Sequence, residues 1–270
     1  MIIQRGEHGL LLPNMGIQTA RVMPGGLPGA FSPPDIAGLQ LWLKADAITG
    51  LNDGDALTTW EDSHTSNNDF TQATAGKKPT YQTNEINGLP VVRFDGTDVL
   101  TAANFLSSSE GTIFAVVRHT TALQDTQTLL ASGDEGSNFY YVWTRSYSTS
   151  ATPNAEVSQK NSDTVDALYG STTIVAGTTY LMTWHSSGTA YSLRVNGAAE
   201  TLTIVTGANT GDWFGDTSLL DNFSLGAIKR ALETGFLKGD VGEVIMYDTG
   251  LSAGDITSVE TYLNARWAAF

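Results

Sequence analysis

The stretch GDVGEVIMYDTGLSAGDI (239–256) sets four carboxylates, Asp240, Glu243, Asp248 and Asp255, close together in sequence. Paired carboxylates can hydrolyse glycosides, and a retaining mechanism needs the two about 5–5.5 Å apart. Strand side chains alternate between faces, so Asp240 and Glu243, three positions apart, are expected on opposite faces of a regular strand. Asp248 falls where a strand gives way to a turn. Asp255 follows Ser252 by three residues, the spacing of a capping box with Asp in place of Glu or Gln. The stretch therefore reads as the end of a β-domain and the start of a helix, not as a catalytic row.

Other catalytic patterns are missing from the sequence. The four histidines, His8, His64, His119 and His185, are far apart and form no HExxH motif. No Gly-x-Ser-x-Gly elbow is present. The glycine-rich MPGGLPGA (23–30) carries prolines and no lysine, unlike a phosphate-binding loop. The chain has no cysteine, which excludes disulfides and thiolate zinc sites. The expectation is a protein that is not an enzyme.

Two binding chemistries remain. Calcium takes about 6–8 oxygen ligands, and two loops offer carboxylates, Asp95 with Asp98 in DGTD and Asp53 with Asp55 in NDGD. The same residues also favour turns without any ion. Sugars stack on exposed aromatic faces beside polar groups. Trp213 and Phe214, in the loop NTGDWFGDTS (209–218), are candidates for glycan binding, with Tyr140 and Tyr147 joining a surface patch. The alternative for Trp213 is a plug at the end of a sandwich. Trp42, Trp143, Trp184 and Trp267 are expected mainly in the core, and Trp60 at a strand end.

The elements that would position these residues are mostly strands. The 270 residues are 41% hydrophobic and only 16% charged, which suits one large β-domain. Short apolar or alternating runs lie at 39–46, 89–96, 111–120, 127–133, 138–144, 178–187, 190–197, 201–206, 223–228 and 240–248. They are separated by Gly, Asn and Asp, the pattern of an antiparallel sandwich. One helix is expected at the C-terminus, where Ile256, Val259, Leu263 and Trp267 form a stripe at helical period with Tyr262 beside it. Asn196-Gly197 supplies a tight hairpin turn.

The first 34 residues differ, with five of the eight prolines and six glycines. That density prevents a continuous helix or central strand. Residues 1–35 are expected to be an extended arm, with Ile2, Ile3, Leu10, Leu11, Leu12, Ile17, Val22 and Met23 for partner contacts, and 36–270 the folded domain. The start, MIIQRGEHGLLLPNMG, lacks the apolar run of a signal peptide. No apolar run reaches the roughly 18 residues of a membrane span. The net charge of −14, with no basic cluster longer than Lys77-Lys78, opposes nucleic-acid binding.

LPVVRFDGTDVLTA (89–102), YSLRVNG (191–197) and FLKGDVGEVIMYDTGLSAGDITSVETYL (236–263) resemble signatures of laminin-G-like domains, members of the concanavalin-A-like jelly-roll superfamily. The resemblance covers residues 36–268. It implies an all-β antiparallel jelly-roll sandwich with an extended N-terminal arm and a short C-terminal helix. Glucan hydrolases of the superfamily carry a Glu-x-Asp-x-x-Glu strand; here no Glu is followed by Asp two positions on. Relatives that bind calcium do so at loop edges, and no other cofactor is implied. The combination of arm and domain resembles phage virion components. It implies a non-enzymatic head decoration or fibre protein, a virion location, anchoring to capsid subunits through the arm, and a homo-oligomer. The alternative is a carbohydrate-binding lectin or adhesion module, outside the cell or on its surface, that meets surface glycans.

Overall fold

A computed structural model describes residues 31–121, 126–149 and 152–270 of the chain. Residues Phe31–Phe270 form one unit. The arm contacts expected of Ile2, Ile3, Leu10, Leu11, Leu12, Ile17, Val22 and Met23 lie outside the described residues.

The described residues form two antiparallel sheets, with strands numbered here in chain order. The first sheet contains β1 (Leu39–Lys44), β4 (Thr80–Ile86), β5 (Leu89–Asp95), β7 (Gly111–His119), β12 (Thr179–Ser186), β13 (Tyr191–Val195), β14 (Ala198–Ala199) and β17 (Lys238–Tyr247). Its order is β14-β13-β12-β7-β17-β5-β4, with β1 also paired to β17. The second contains β2 (Thr59–Trp60), β3 (Phe70–Thr71), β6 (Leu100–Ala103), β8 (Gln127–Gly133), β9 (Tyr140–Thr149), β10 (Thr152–Asn161), β11 (Thr164–Tyr169), β15 (Thr203–Thr206) and β16 (Asn222–Leu225). Its order is β15-β11-β10-β9-β8-β16-β6-β3-β2. The sheets pack face to face over one apolar core that includes Leu41, Leu43, Val142, Val157, Leu168 and Met246. Trp184 on β12 crosses this core and donates from Nε1 to the Glu156 carbonyl on β10, at 2.9 Å.

The helix α1 (Ala253–Trp267) is held against the outer face of the first sheet. Ser252 caps it, its Oγ accepting from Asp255 N at 3.2 Å and donating to the Asp255 carboxylate at 2.8 Å. Ile256, Val259, Leu263 and Trp267 are buried, as their spacing requires. Glu260 is buried beside them, its Oε1 accepting from Thr183 Oγ1 and Arg194 Nε, each at 2.9 Å. Strands under the helix are therefore covered on both faces. That is why β7 is buried from Gly111 to Val117 as a nearly continuous apolar run, whereas β13 alternates.

The sandwich expected from the sequence is the observed fold, and each of the ten runs read as strands overlaps one. Asn196 and Gly197 turn with φ of +51° and +73°, as a type I′ hairpin demands. The hairpin partners β10 and β11 were not legible. In TPNAEVSQKN only Ala155 and Val157 are apolar and inward, while the buried Glu156, Ser158 and Gln159 mask the alternation.

The expectation that Asp240 and Glu243 point to opposite faces is corrected. A bulge at Gly242 shifts the register of β17 on β7 between Val241 and Glu243. The extra residue returns Glu243 to the side that Asp240 occupies, outside the sandwich core. Asp240 is buried and chelated by Arg93 Nε at 2.6 Å and Arg118 Nη2 at 2.5 Å. Glu243 is buried and accepts from Trp42 Nε1 at 2.6 Å, Trp267 Nε1 at 2.8 Å, Tyr262 OH at 3.1 Å and Arg266 Nε at 3.1 Å. A Cβ on residue 242 would lie 2.7 Å from the Trp267 ring, so glycine lets the helix seat on the bulge. Both carboxylates are spent on holding the arrangement together.

Candidate functional site

At one end of the sandwich, four chain segments wall a cleft of about 880 Å³. β5 ends in Asp95, and Lys238 opposes it as the first residue of β17. The turn after Asp95 is fixed by its own side chains. Asp95 Oδ1 accepts from Thr97 N at 2.8 Å and Thr97 Oγ1 at 2.7 Å, and Asp98 Oδ2 accepts from Asp95 N at 2.8 Å. Gly96 sits at φ +100°, a conformation that favours glycine. The third segment is Thr126 and Gln127 at the start of β8, with Thr121 nearby. The fourth is the connection from β16 to β17, whose Glu233, Thr234, Gly235 and Phe236 face the cleft. This connection is pinned by Thr128 N donating to Gly235 O at 2.7 Å and Leu237 N to Gly226 O at 2.6 Å. Lys77 holds Glu233 at 2.6 Å.

The lining is a set of hydrogen-bonding groups with one ring. Four threonine hydroxyls, the Gln127 amide, two carboxylates and the Lys238 ammonium surround the half-buried Phe236. The Thr97 hydroxyl, with burial acting against it, holds the Asp95 carboxyl below its ordinary range. Burial pushes Asp98, behind the turn, up to about 6. Behind Gln127 lies His119, fully buried, with Nδ1 at 3.1 Å from Gln127 Oε1 and Nε2 at 2.9 Å from Ser146 Oγ. Gln127 Oε1 also accepts from Lys238 N at 2.8 Å, so it acts as an acceptor throughout. Nδ1 of His119 therefore carries the proton, and Nε2 accepts from Ser146. Burial drives the imidazole down to about 4. It is a neutral strut that ties the cleft floor to β9.

The glycan candidates Trp213 and Phe214 are not part of this cleft. Of the two readings of Trp213, the plug is the observed one, since Trp213 is 0% and Phe214 2% exposed. The loop makes a single 3-10 turn, Phe214–Asp216, in which Asp216 Oδ2 accepts from Trp213 N at 2.8 Å. That turn directs both rings inward, edge to face with centroids 5.0 Å apart. A Cβ at Gly111 would lie 2.4 Å from the indole nitrogen, so Trp213 plugs the sandwich end, and no face is left for a sugar. Tyr140 is half-buried on β9. The side chains of Tyr147 and Trp143 lie outside those described.

Of the calcium candidates, Asp95 lines the cleft and Asp98 supports it, and both carboxylates serve the turn. Asp53 and Asp55 are elsewhere. Asp53 Oδ1 takes Thr83 N and Oγ1, and Asp55 Oδ2 takes Asn52 N and Nδ2. Among the described residues, no cluster of three or more metal-ligating side chains forms. Asp55, Asp95 and Asp98 serve local turns, and Asp53 ties its loop to Thr83 on β4. Sequence reasoning missed Thr126, Gln127, Glu233, Phe236 and Lys238. Only Phe236, an apolar residue just ahead of the β17 run, left any signal.

No protein-family model matches the chain, nor does any curated protein sequence. Solved structures do match. Domain 4 of AbnA, a GH43 extracellular arabinanase from Geobacillus stearothermophilus, in complex with arabinotriose, is 15% identical with a TM-score of 0.56. The match covers 82% of this chain and 98% of that one. Trypanosoma rangeli sialidase in complex with sialic acid is 16% identical with a TM-score of 0.54, over 83% of this chain and 33% of that one, so this chain spans about a third of the sialidase's length. The CBM40 of Ruminococcus gnavus IT-sialidase bound to α2,3-sialyllactose is 18% identical with a TM-score of 0.49, over 57% and 83%. At these identities the likeness is one of fold, a β-sandwich shared with domains of carbohydrate-active proteins.

Proposed function

We propose that the chain is a non-catalytic carbohydrate-binding module and that its ligand, an oligosaccharide, lies in the cleft between Asp95 and Phe236. The observation that carries this reading is the lining. Sites for small ligands are concave, about 300–1,000 Å³, with a few polar groups that fix orientation. This cleft has the size, 880 Å³, with hydroxyl, amide and charged groups around one ring. Such a set matches the alternating hydroxyls and apolar face of a sugar. A domain of similar fold has a structure in complex with arabinotriose, which favours this ligand class.

Binding fits the lining carboxylates better than hydrolysis does. Asp95 is held ionised by Thr97, and Glu233 is engaged by Lys77. A glycosidase needs one carboxyl kept protonated at its working pH. Asp98 has a raised pKa, but it is buried behind the turn. A glycan array with the wild-type protein tests the reading, alongside Phe236→Ala. Retention of defined glycans, weakened by Phe236→Ala, supports it. A blank array would overturn it, and turnover on a glycan panel would replace it with an enzyme.

A decoration or fibre role on a virion is a companion proposal. It would use residues 1–30 as anchor and present the sandwich outward, where glycan binding would serve attachment.

A further inference from the structure

The strands that border the two sheets are protected unequally. β2 and β14 span two residues each. β1 and β4 are covered by loops, with Ser63 N donating to Trp42 O and Gly54 N to Tyr81 O, each at 2.8 Å. Short or covered edges give another strand little to pair with. β15, at the end of the second sheet, has neither protection. It pairs with β11 on one side, and among the described residues its backbone bonds to no other segment. All four of its residues, Thr203–Thr206, are β-branched and exposed, Ile204 at 52% and Val205 at 44%. Such residues favour strand pairing. Val205 is the extra residue of a bulge on β11, so its N–H and C=O take no ladder partner there either.

Charge selects the occupant. The chain carries −14, which opposes self-association over most of its surface. Residues 201–211 carry no charge at all. The acids beside β15 are turned into their own loops. Glu200 accepts from Thr172 N at 2.6 Å and Thr172 Oγ1 at 2.7 Å, and Asp166 from Ala208 N and Thr210 Oγ1, each at 2.6 Å. A two-fold axis brings an edge strand against its own copy, so a charged edge would repel itself. This edge does not. An antiparallel pairing centred on Ile204 sets Ile204 opposite itself and Thr203 opposite Val205. One centred on Val205 sets Val205 opposite itself and Ile204 opposite Thr206. Either register joins uncharged β-branched side chains.

We infer that this edge is a homodimer interface, in which β15 of one copy pairs antiparallel with β15 of a second and the two second sheets join into one. The inference does not depend on the carbohydrate reading, since β15 shares no residue with the cleft.

The test is sedimentation equilibrium of the full chain, with amide hydrogen exchange at low and high protein concentration. A monomer–dimer equilibrium is expected, with Kd on the order of 100 µM for so short a strand. Amides within residues 203–206 are expected to exchange more slowly as concentration rises. Ile204→Lys sets like charges across the two-fold axis and is expected to weaken the dimer by about tenfold or more. The exchange comparison uses wild-type protein, so it stands even where the variant folds poorly. A chain that stays monomeric up to about 1 mM, a dimer that Ile204→Lys leaves intact, or concentration-dependent protection that spares β15 would sink the inference.

Discussion

His119 should make the protein acid-labile by an amount that can be worked out. The imidazole is buried, hydrogen-bonded as a neutral group between Gln127 and Ser146, and depressed to about 4 against 6.5 in the unfolded chain. A depressed folded pKa means that the unfolded state takes up a proton first. The contribution to stability is therefore complete above pH 6.5 and is lost as pH falls through 6.5 towards 4. A depression of that size corresponds to roughly 3 kcal/mol in full, most of it lost between pH 7.5 and 4.5. The perturbation is His119→Gln, which cannot titrate yet retains a donor and an acceptor. Urea unfolding of both proteins at pH 7.5 and 4.5 gives the assay, with equal m-values required for comparison. Wild type is expected to lose roughly 2–3 kcal/mol more than the variant over that interval. Because other carboxyls titrate alike in both proteins, the difference isolates the imidazole. Equal losses would refute the claim that His119 is held neutral in the core.

Asp98 should act with the opposite sign. Its folded pKa is raised to about 6, so its contribution is greatest below the unfolded value of 3.8 and is lost as pH rises through 6. Asp98→Asn is expected to become more stable relative to wild type from pH 4 to 7, as urea midpoints at several pH values would show. Glu243→Ala is expected to cost roughly 3–5 kcal/mol, because it strands the Arg266 guanidinium, two indole N–H groups and a phenol beneath the helix; a loss under 1 kcal/mol by thermal unfolding would contradict the clamp. Deletion of residues 1–30 is expected to leave the domain folded by circular dichroism, and under the virion proposal it would also abolish binding to the assembly. The cut should stop there, since the Phe31 ring packs on Tyr262 and Pro33 O accepts from Tyr247 OH at 2.9 Å.

The fold was legible because its signals are local. Alternation marks β1 and β13, Asn196-Gly197 fixes a hairpin, and Ser252 with the stripe Ile256 to Trp267 fixes the helix. What escaped is set by tertiary context. Asp240 and Glu243 share a side only because Gly242 is an extra residue, and a bulge has no sequence period. The Gly- and Asp-rich loop around Trp213 left a surface platform and a plug both open, and the 3-10 turn that decides for the plug has no sequence period. The cleft joins residues from four segments between 95 and 238, with threonines and glycines of no distinctive pattern among them. Asp95 alone was singled out beforehand, and for its charge.

The central claim, that a sugar occupies this cleft, is tested most directly by amide chemical shifts. The isotopically labelled chain would be titrated with the leading oligosaccharide from the glycan array. Saturable shifts confined to residues 95–98, 126–127 and 233–238, weakened about tenfold in Kd by Phe236→Ala, are the predicted result. Saturable shifts centred elsewhere, with these segments unmoved, would contradict the account.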